Sequence, residues 1–321
     1  MSIPSFSYVT CHFSGLDFIV RIESSLLAAD ILTSKRIVCT TPVPAFCRNI
    51  PTDCFNAIEG NKLYKLAYYL ENLTSLPTVR RIWSHGSAQS NAMLALSALA
   101  QLMSTEFHYV VPYLPPALKQ HPNGNLARAL THGMQLHIDG PLYRRMAAQE
   151  FVPETDEWIF GEGASHAQVQ HGFSHMGKEL TEVCRELELR QVFLPSGTGV
   201  SARHLAASLP GLATMTMPVY GDAAYLQNVF ASQHSNEPHP VILSPAQPYR
   251  FGTLHRELWE LHTRLLADTG ISFDLLYDLP AWACILQHRE KFTQPWLYLH
   301  QGGMHGSSTM HDRYQRMLAA G

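Results

Sequence analysis

Lysine is scarce in this 321-residue chain, at positions 35, 62, 65, 119, 178 and 291 only, and two of the six share the segment Gly60-Asn61-Lys62-Leu63-Tyr64-Lys65-Leu66. An ammonium is not a nucleophile, so a lysine that forms a Schiff base has to be desolvated and positioned. Lys62 and Lys65 open an apolar, helix-like run through Leu70, which admits two readings. Both are solvated lysines on a first helical turn, or one turns inward for carbonyl chemistry. Gln89-Ser90-Asn91 stands at an expected helix start. There Ser90 is an N-cap, or its hydroxyl and the free N–H groups receive a carboxylate or phosphate.

Ser196-Gly197-Thr198-Gly199-Val200-Ser201-Ala202 lies between an expected strand and helix, where glycines let backbone approach an anion closely. Gly197-x-Gly199-x-x-Ala202 also satisfies a dinucleotide fingerprint, and Asp222 follows the next strand where, about 20 residues on, a ribose-binding acid would sit. An NAD-dependent dehydrogenase is therefore a rival. Leu276-Tyr277-Asp278 reads as a packed strand end or a catalytic pair, and His300 to Gly306 as a strand running into a flexible turn. His300, His305 and His311 have no carboxylate or cysteine recurring at ligand spacing, which speaks against a metal.

The elements that must position these residues repeat as apolar strand, Gly or Ser loop, then amphipathic helix. Strands are expected at 81–84, 107–114, 134–138, 191–194, 213–220, 241–244 and 296–300, with helices at 91–103 and 200–209. This alternation predicts α/β architecture with parallel sheets covered on both faces. At 46% hydrophobic and 15% charged, the composition is that of a globular protein, and a net charge of -3 offers no footprint for nucleic acid. Cysteines 11, 39, 47, 54, 184 and 284 form no C-x-x-C pair and read as reduced thiols. Residues 1–16 show no basic segment followed by an apolar run, and Met93 to Leu102 is interrupted by Ser97 and Gln101. The expectation is a soluble cytoplasmic protein without membrane contact.

In order along the chain, G-N-K-x-x-K-L (60–66), Q-S-N (89–91), S-x-T-G (196–199), the Tyr277-Asp278 pair and H-x-G-G (300–303) resemble the D-cysteine desulfhydrase and 1-aminocyclopropane-1-carboxylate deaminase family. The resemblance covers roughly residues 53–310. It implies the tryptophan synthase β-like fold (fold type II), two open twisted-sheet α/β domains with pyridoxal 5'-phosphate between them. Residues 1–62 and 166–321 would form the larger domain and 63–165 the smaller, inserted one. By motif, Lys62 resembles the lysine that holds the cofactor, flanked by Asn61 and Lys65. Ser90 resembles the catalytic serine, and Asn91 its neighbour that holds cofactor or carboxylate. Gly197, Thr198, Gly199 and Ser201 resemble the phosphate cup. Tyr277 resembles an active-site tyrosine, with Tyr249 as the second. Asp278 falls where the deaminases carry an acid facing the pyridine nitrogen. In such a fold the glycine loop needs no nicotinamide. The resemblance implies a homodimeric lyase or deaminase acting on a small amino acid, D-cysteine-like ahead of the cyclopropane acid. His85, Ala92 and Gln301 depart from the family pattern. They leave room for altered substrate choice or for a non-catalytic cofactor carrier.

Overall fold

The computed structural model describes residues 5–47, 50–231 and 238–319. The chain forms two compact units, Met1–Pro44 with Phe173–Gly321, and Ala45–Gly172.

The larger unit is built on a seven-stranded sheet. It comprises β1 (Ser5–Phe13), β2 (Leu16–Glu23), β3 (Ile37–Pro42) and four strands from the C-terminal half of the chain. β1 and β2 are joined by Ser14 and Gly15 at φ 50° and 81°. Two successive positive-φ residues make the tight turn whose twist suits a hairpin. The smaller unit carries a parallel sheet of β4 (Arg81–His85), β5 (Glu106–Val111), β6 (Gln135–Ile138) and β7 (Glu157–Phe160), in the order β6-β5-β4-β7. The remaining strands are β8 (Gln191–Ser196), β9 (Ala213–Pro218), β10 (Val241–Ile242) and β11 (Trp296–Leu299). The large sheet runs β10-β9-β8-β11-β2-β1-β3, parallel from β10 to β2, with β1 antiparallel to both its neighbours.

Two expectations change here. The large sheet is mixed rather than parallel, because the N-terminal hairpin joins it through β2 beside β11. Residues 45–47, 50–62 and 166–172, placed with the larger domain on sequence, fall in the smaller unit, where helix Thr52–Ala57 lies against helix Asn91–Leu102.

An aromatic stack anchors the large sheet. Trp282 lies flat on Tyr298 at 5.2 Å and Phe18 on Trp296 at 5.1 Å. Such pairs add to the burial of large apolar surface. Arg21, 2% exposed, sits over the Phe6 ring and bonds both Glu179 oxygens at 2.9 Å, so its buried charge is paired. In the smaller unit, helix Asn91–Leu102 is buried from Ala92 through Ala100. It packs on β5, on helix Gly124–Thr131 and on helix Asn61–Lys65. No helix among the described residues is long and apolar enough to cross a membrane.

Candidate active site

In the smaller unit, Gly60 (φ 57°) turns the chain into helix Asn61–Lys65, a conformation that favours glycine. Lys62 is half-buried, and its Nζ donates to Asn61 Oδ1 at 2.7 Å. Among the described residues it meets no carboxylate, and burial pulls its pKa down to about 8. Lys65, three residues on, is 3% exposed and donates to the Gly163 carbonyl at 2.8 Å. Burial and the Lys62 charge hold its pKa well below the usual lysine range. The two lysines therefore differ in kind. Lys65 is tied into the backbone, and Lys62 carries an amine that only a neutral side chain holds.

Ser90 ends the loop after β4 and caps helix Asn91–Leu102, its Oγ accepting from the Ala92 and Met93 N–H groups at 3.2 and 3.3 Å. Asn91 Oδ1 accepts from Asn125 Nδ2 at 2.7 Å. Asn125 Nδ2 also donates to the Gln89 carbonyl at 3.0 Å, and the Asn125 backbone N–H donates to Gln89 Oε1 at 2.9 Å. Asn125 thus braces the whole Gln89-Ser90-Asn91 turn. Its only signal in the sequence was the turn-like Asn123-Gly124-Asn125. Gly86, in the same loop, has φ 149°, and a Cβ there would lie 2.4 Å from the Tyr109 hydroxyl. His85 belongs to the strand rather than the loop. It pairs with Val110, is 5% exposed and meets the Tyr143 ring edge-on at 5.5 Å.

In the larger unit, β8 passes through Gly197, Thr198 and Gly199 into helix Val200–Ser208. Gly199 stands at that helix start with φ 75° and offers no side-chain cap. A Cβ on it would meet Leu226 and Phe230 at 3.1 Å, and one on Gly197 would meet the Tyr277 ring at 3.2 Å. Thr198 is half-buried, and Ser201 is buried in the first turn of the helix. Gln301 Nε2 donates to the Pro195 carbonyl at 2.7 Å, tying the H-x-G-G segment to the end of β8. Asp222 Oδ1 accepts from the Tyr225 N–H at 2.8 Å, at the start of helix Ala223–Ala231, so the acid of the dehydrogenase reading is used as a local cap.

Tyr277 is not at a strand end. It precedes helix Asp278–Gln287, half-buried, with the Phe251 ring edge-on at 5.4 Å. Asp274, which the sequence did not single out, accepts from the Tyr277 and Leu276 N–H groups at 2.6 and 2.9 Å and from the Ser307 hydroxyl at 2.6 Å. Asp278 is 1% exposed, and both its oxygens are engaged. Oδ1 accepts from the Tyr298 hydroxyl at 2.7 Å and Oδ2 from the Asp274 N–H at 2.9 Å, with His300 Nε2 at 3.5 Å from Oδ2. Burial raises the pKa of both carboxyls. Tyr249 is half-buried and packs edge-on against His255 at 5.0 Å. The His305 side chain lies outside the described residues.

Lys62, Asn61, Lys65, Ser90 and Asn91 thus fall in one compact unit, and Gly197, Thr198, Gly199, Ser201, Tyr249, Tyr277 and Asp278 in the other. No family model and no curated protein matches the sequence. Solved structures do. An ACC deaminase homologue superposes with a TM-score of 0.65 at 16% identity, over 93% of this chain and 88% of that one. A hydrogen sulfide-producing enzyme from Fusobacterium nucleatum gives 0.52 at 12% identity, over 94% and 97%. A pyridoxal 5'-phosphate-dependent aspartate racemase gives 0.52 at 13% identity, over 81% and 88%. The fold is tryptophan synthase β-like. That agrees with the fold the motifs implied.

Proposed function

We propose that the protein is a pyridoxal 5'-phosphate-dependent lyase of small amino acids, acting by β-elimination on a D-cysteine-like substrate. Lys62 carries this reading, a half-buried amine with a pKa of about 8 and an uncharged partner, in a chain that shares its fold with a protein named for this cofactor. The residues present suit the cofactor. Lys62 Nζ would hold its aldehyde carbon. The Gly197-Thr198-Gly199 turn, where side chains have no room and the following helix lacks a side-chain cap, would take its phosphate. Tyr277 would flank it.

When bound, the cofactor supplies an electron sink for negative charge at the substrate Cα. Lys62 would accept the substrate Cα proton at Nζ, which its lowered proton affinity allows near neutral pH. Ser90 and Asn91, at the start of helix Asn91–Leu102, bind the substrate carboxylate; the Ser90 oxygen caps the helix while its O–H remains a donor. Tyr277, with Tyr249 as the second tyrosine, offers a hydroxyl to the departing β-substituent. The products, with one water consumed, would be the released β-substituent (sulfide from a cysteine), a 2-oxo acid and ammonia.

Ring opening of 1-aminocyclopropane-1-carboxylate is the second reading, favoured by the acid at Asp278. That carboxyl is buried with both oxygens bonded, which suits support of the Tyr277 turn better than contact with a cofactor. Elimination therefore stands first. Borohydride reduction followed by peptide mapping should place a pyridoxyl group on Lys62. A label on Lys65, or on no lysine, would refute the assignment. Sulfide and pyruvate release from D-cysteine should then exceed, in kcat/KM, ammonia release from the cyclopropane acid; the reverse ranking selects the second reading.

A further inference from the structure

Three side chains of the smaller unit with no part in this chemistry converge elsewhere. Asp53 and Cys54 lie in the first turn of helix Thr52–Ala57, and His132 caps the C-terminus of helix Gly124–Thr131. A carboxylate oxygen, the thiol sulfur and an imidazole nitrogen of these residues all lie within 4.8 Å of one another. We propose that this trio is a binding site for a divalent cation of the zinc type, with water completing the coordination.

Ligand chemistry selects that class. A thiolate, an imidazole and a carboxylate suit zinc or cobalt, whereas calcium and magnesium take oxygen ligands. His132 Nδ1 is hydrogen-bonded to the Gln101 side-chain oxygen, an acceptor only, so Nδ1 carries the proton and Nε2 keeps its lone pair. Histidines that ligate metals are commonly held in this way by a partner on the other ring nitrogen. Cys54 is a free thiol, 1% exposed, and its sulfur makes no hydrogen bond among the described residues. Asp53 is exposed, which leaves an approach for an ion and its water. His132 also stands at the carbonyl end of its helix, where a cation is favoured. Arg128 opposes this, its charge acting on His132.

A second cluster shows the contrast. Glu154, Asp156 and Glu157 are as close together, but Arg80 reaches all three at 2.6 to 3.1 Å and Arg81 pairs with Glu157 at 3.0 Å, so their charge is neutralised within the protein. Among the described residues, Asp53, Cys54 and His132 themselves form no ion pair. Binding requires the Cys54 thiol to lose its proton to water as the sulfur–metal bond forms. Nothing here depends on the reading of Lys62, so each can fail without the other.

The test is zinc titration of the full-length chain by equilibrium dialysis, with X-ray absorption on the loaded protein. One zinc per chain is expected, with a single sulfur scatterer at about 2.3 Å and nitrogen or oxygen neighbours at about 2.0–2.2 Å. Cys54→Ser should remove the sulfur scatterer. Asp53→Asn, at an exposed position that leaves the fold intact, and Gln101→Leu should each weaken binding by about 10-fold or more. A shell of nitrogen and oxygen alone, a sulfur scatterer that persists in Cys54→Ser, or unchanged affinity in Asp53→Asn would overturn the proposal.

Discussion

Two strand-to-helix junctions, one in each unit, look alike in sequence and differ in how their helix starts are satisfied. After β4, the Ser90 hydroxyl accepts two N–H groups of helix Asn91–Leu102, and Asn125 braces the turn around it. After β8, Gly199 enters helix Val200–Ser208 in the left-handed region with no side chain to offer. The first junction supplies its own acceptor. The second supplies no side-chain acceptor at its N-cap, an arrangement that suits an external anion. In the proposed function the glycine junction would take the phosphate and the serine junction would act through its hydroxyl, and each role can be broken separately.

The largest expected effect is at the Lys62 amine. Lys62→Ala should lower turnover by on the order of 10³-fold, as for loss of a positioned base, and abolish the borohydride-trapped adduct. Lys65→Met should behave differently. It removes the donor to the Gly163 carbonyl, so thermal stability falls while the label at Lys62 survives. Equal loss of labelling in the two variants would remove the distinction between them. The pH dependence follows from the same site. The neutral amine of Lys62 should make adduct formation in the cofactor-free protein rise with pH and level off above about 8.

Gly199→Val comes next. A β-branched residue at φ 75° costs roughly 1–2 kcal/mol in backbone alone, and its Cβ meets Leu226 and Phe230. Dialysis should strip cofactor from this variant and not from the parent. A variant that keeps the cofactor would place the phosphate elsewhere.

What the sequence made legible here was local. Glycine, serine and asparagine at loop-to-helix boundaries carry their meaning in a few residues, so the two junctions and the Lys62 turn were readable. Long-range partners were not. β1 is buried on both faces over Phe6–Val9, which erases the alternation that marks a strand, and β2 finds β11 only after most of the chain has been made. Asp278 looked like a free acid because its partners, Tyr298 and His300, lie 20 and 22 residues on, and Asp274 attracted no notice because its role is defined by Ser307, 33 residues away.

That buried pair gives a smaller, pH-dependent effect. Both carboxyls titrate higher in the folded chain than the unfolded value near 4. The native state therefore holds protons that the unfolded chain has already released, and stability is lost as pH rises from about 4 through the raised native values. The groups facing the pair are Tyr298, His300 and Ser307. Asp278→Asn keeps an oxygen for the Tyr298 hydroxyl and removes the charge, so the decline measured by denaturant unfolding at successive pH values should flatten. An unchanged slope would mean that the pair ionises without penalty.

The smallest expected effect separates cap from catalyst at Ser90. Replacing an N-cap serine by alanine costs about 1 kcal/mol, whereas glycine costs only a few tenths. Ser90→Ala and Ser90→Gly should therefore differ in stability, with glycine close to the parent, because glycine lets water reach the Ala92 and Met93 N–H groups that the hydroxyl now satisfies. Both variants lose the same O–H donor. If that donor meets the substrate, kcat should fall in the two by similar factors despite their unequal stability. If Ser90 is a cap and nothing more, activity should follow stability and Ser90→Gly should turn over at nearly the parental rate. Steady-state kinetics beside urea unfolding of the same two preparations distinguishes these outcomes, and a fully active glycine variant would reduce the serine junction to architecture.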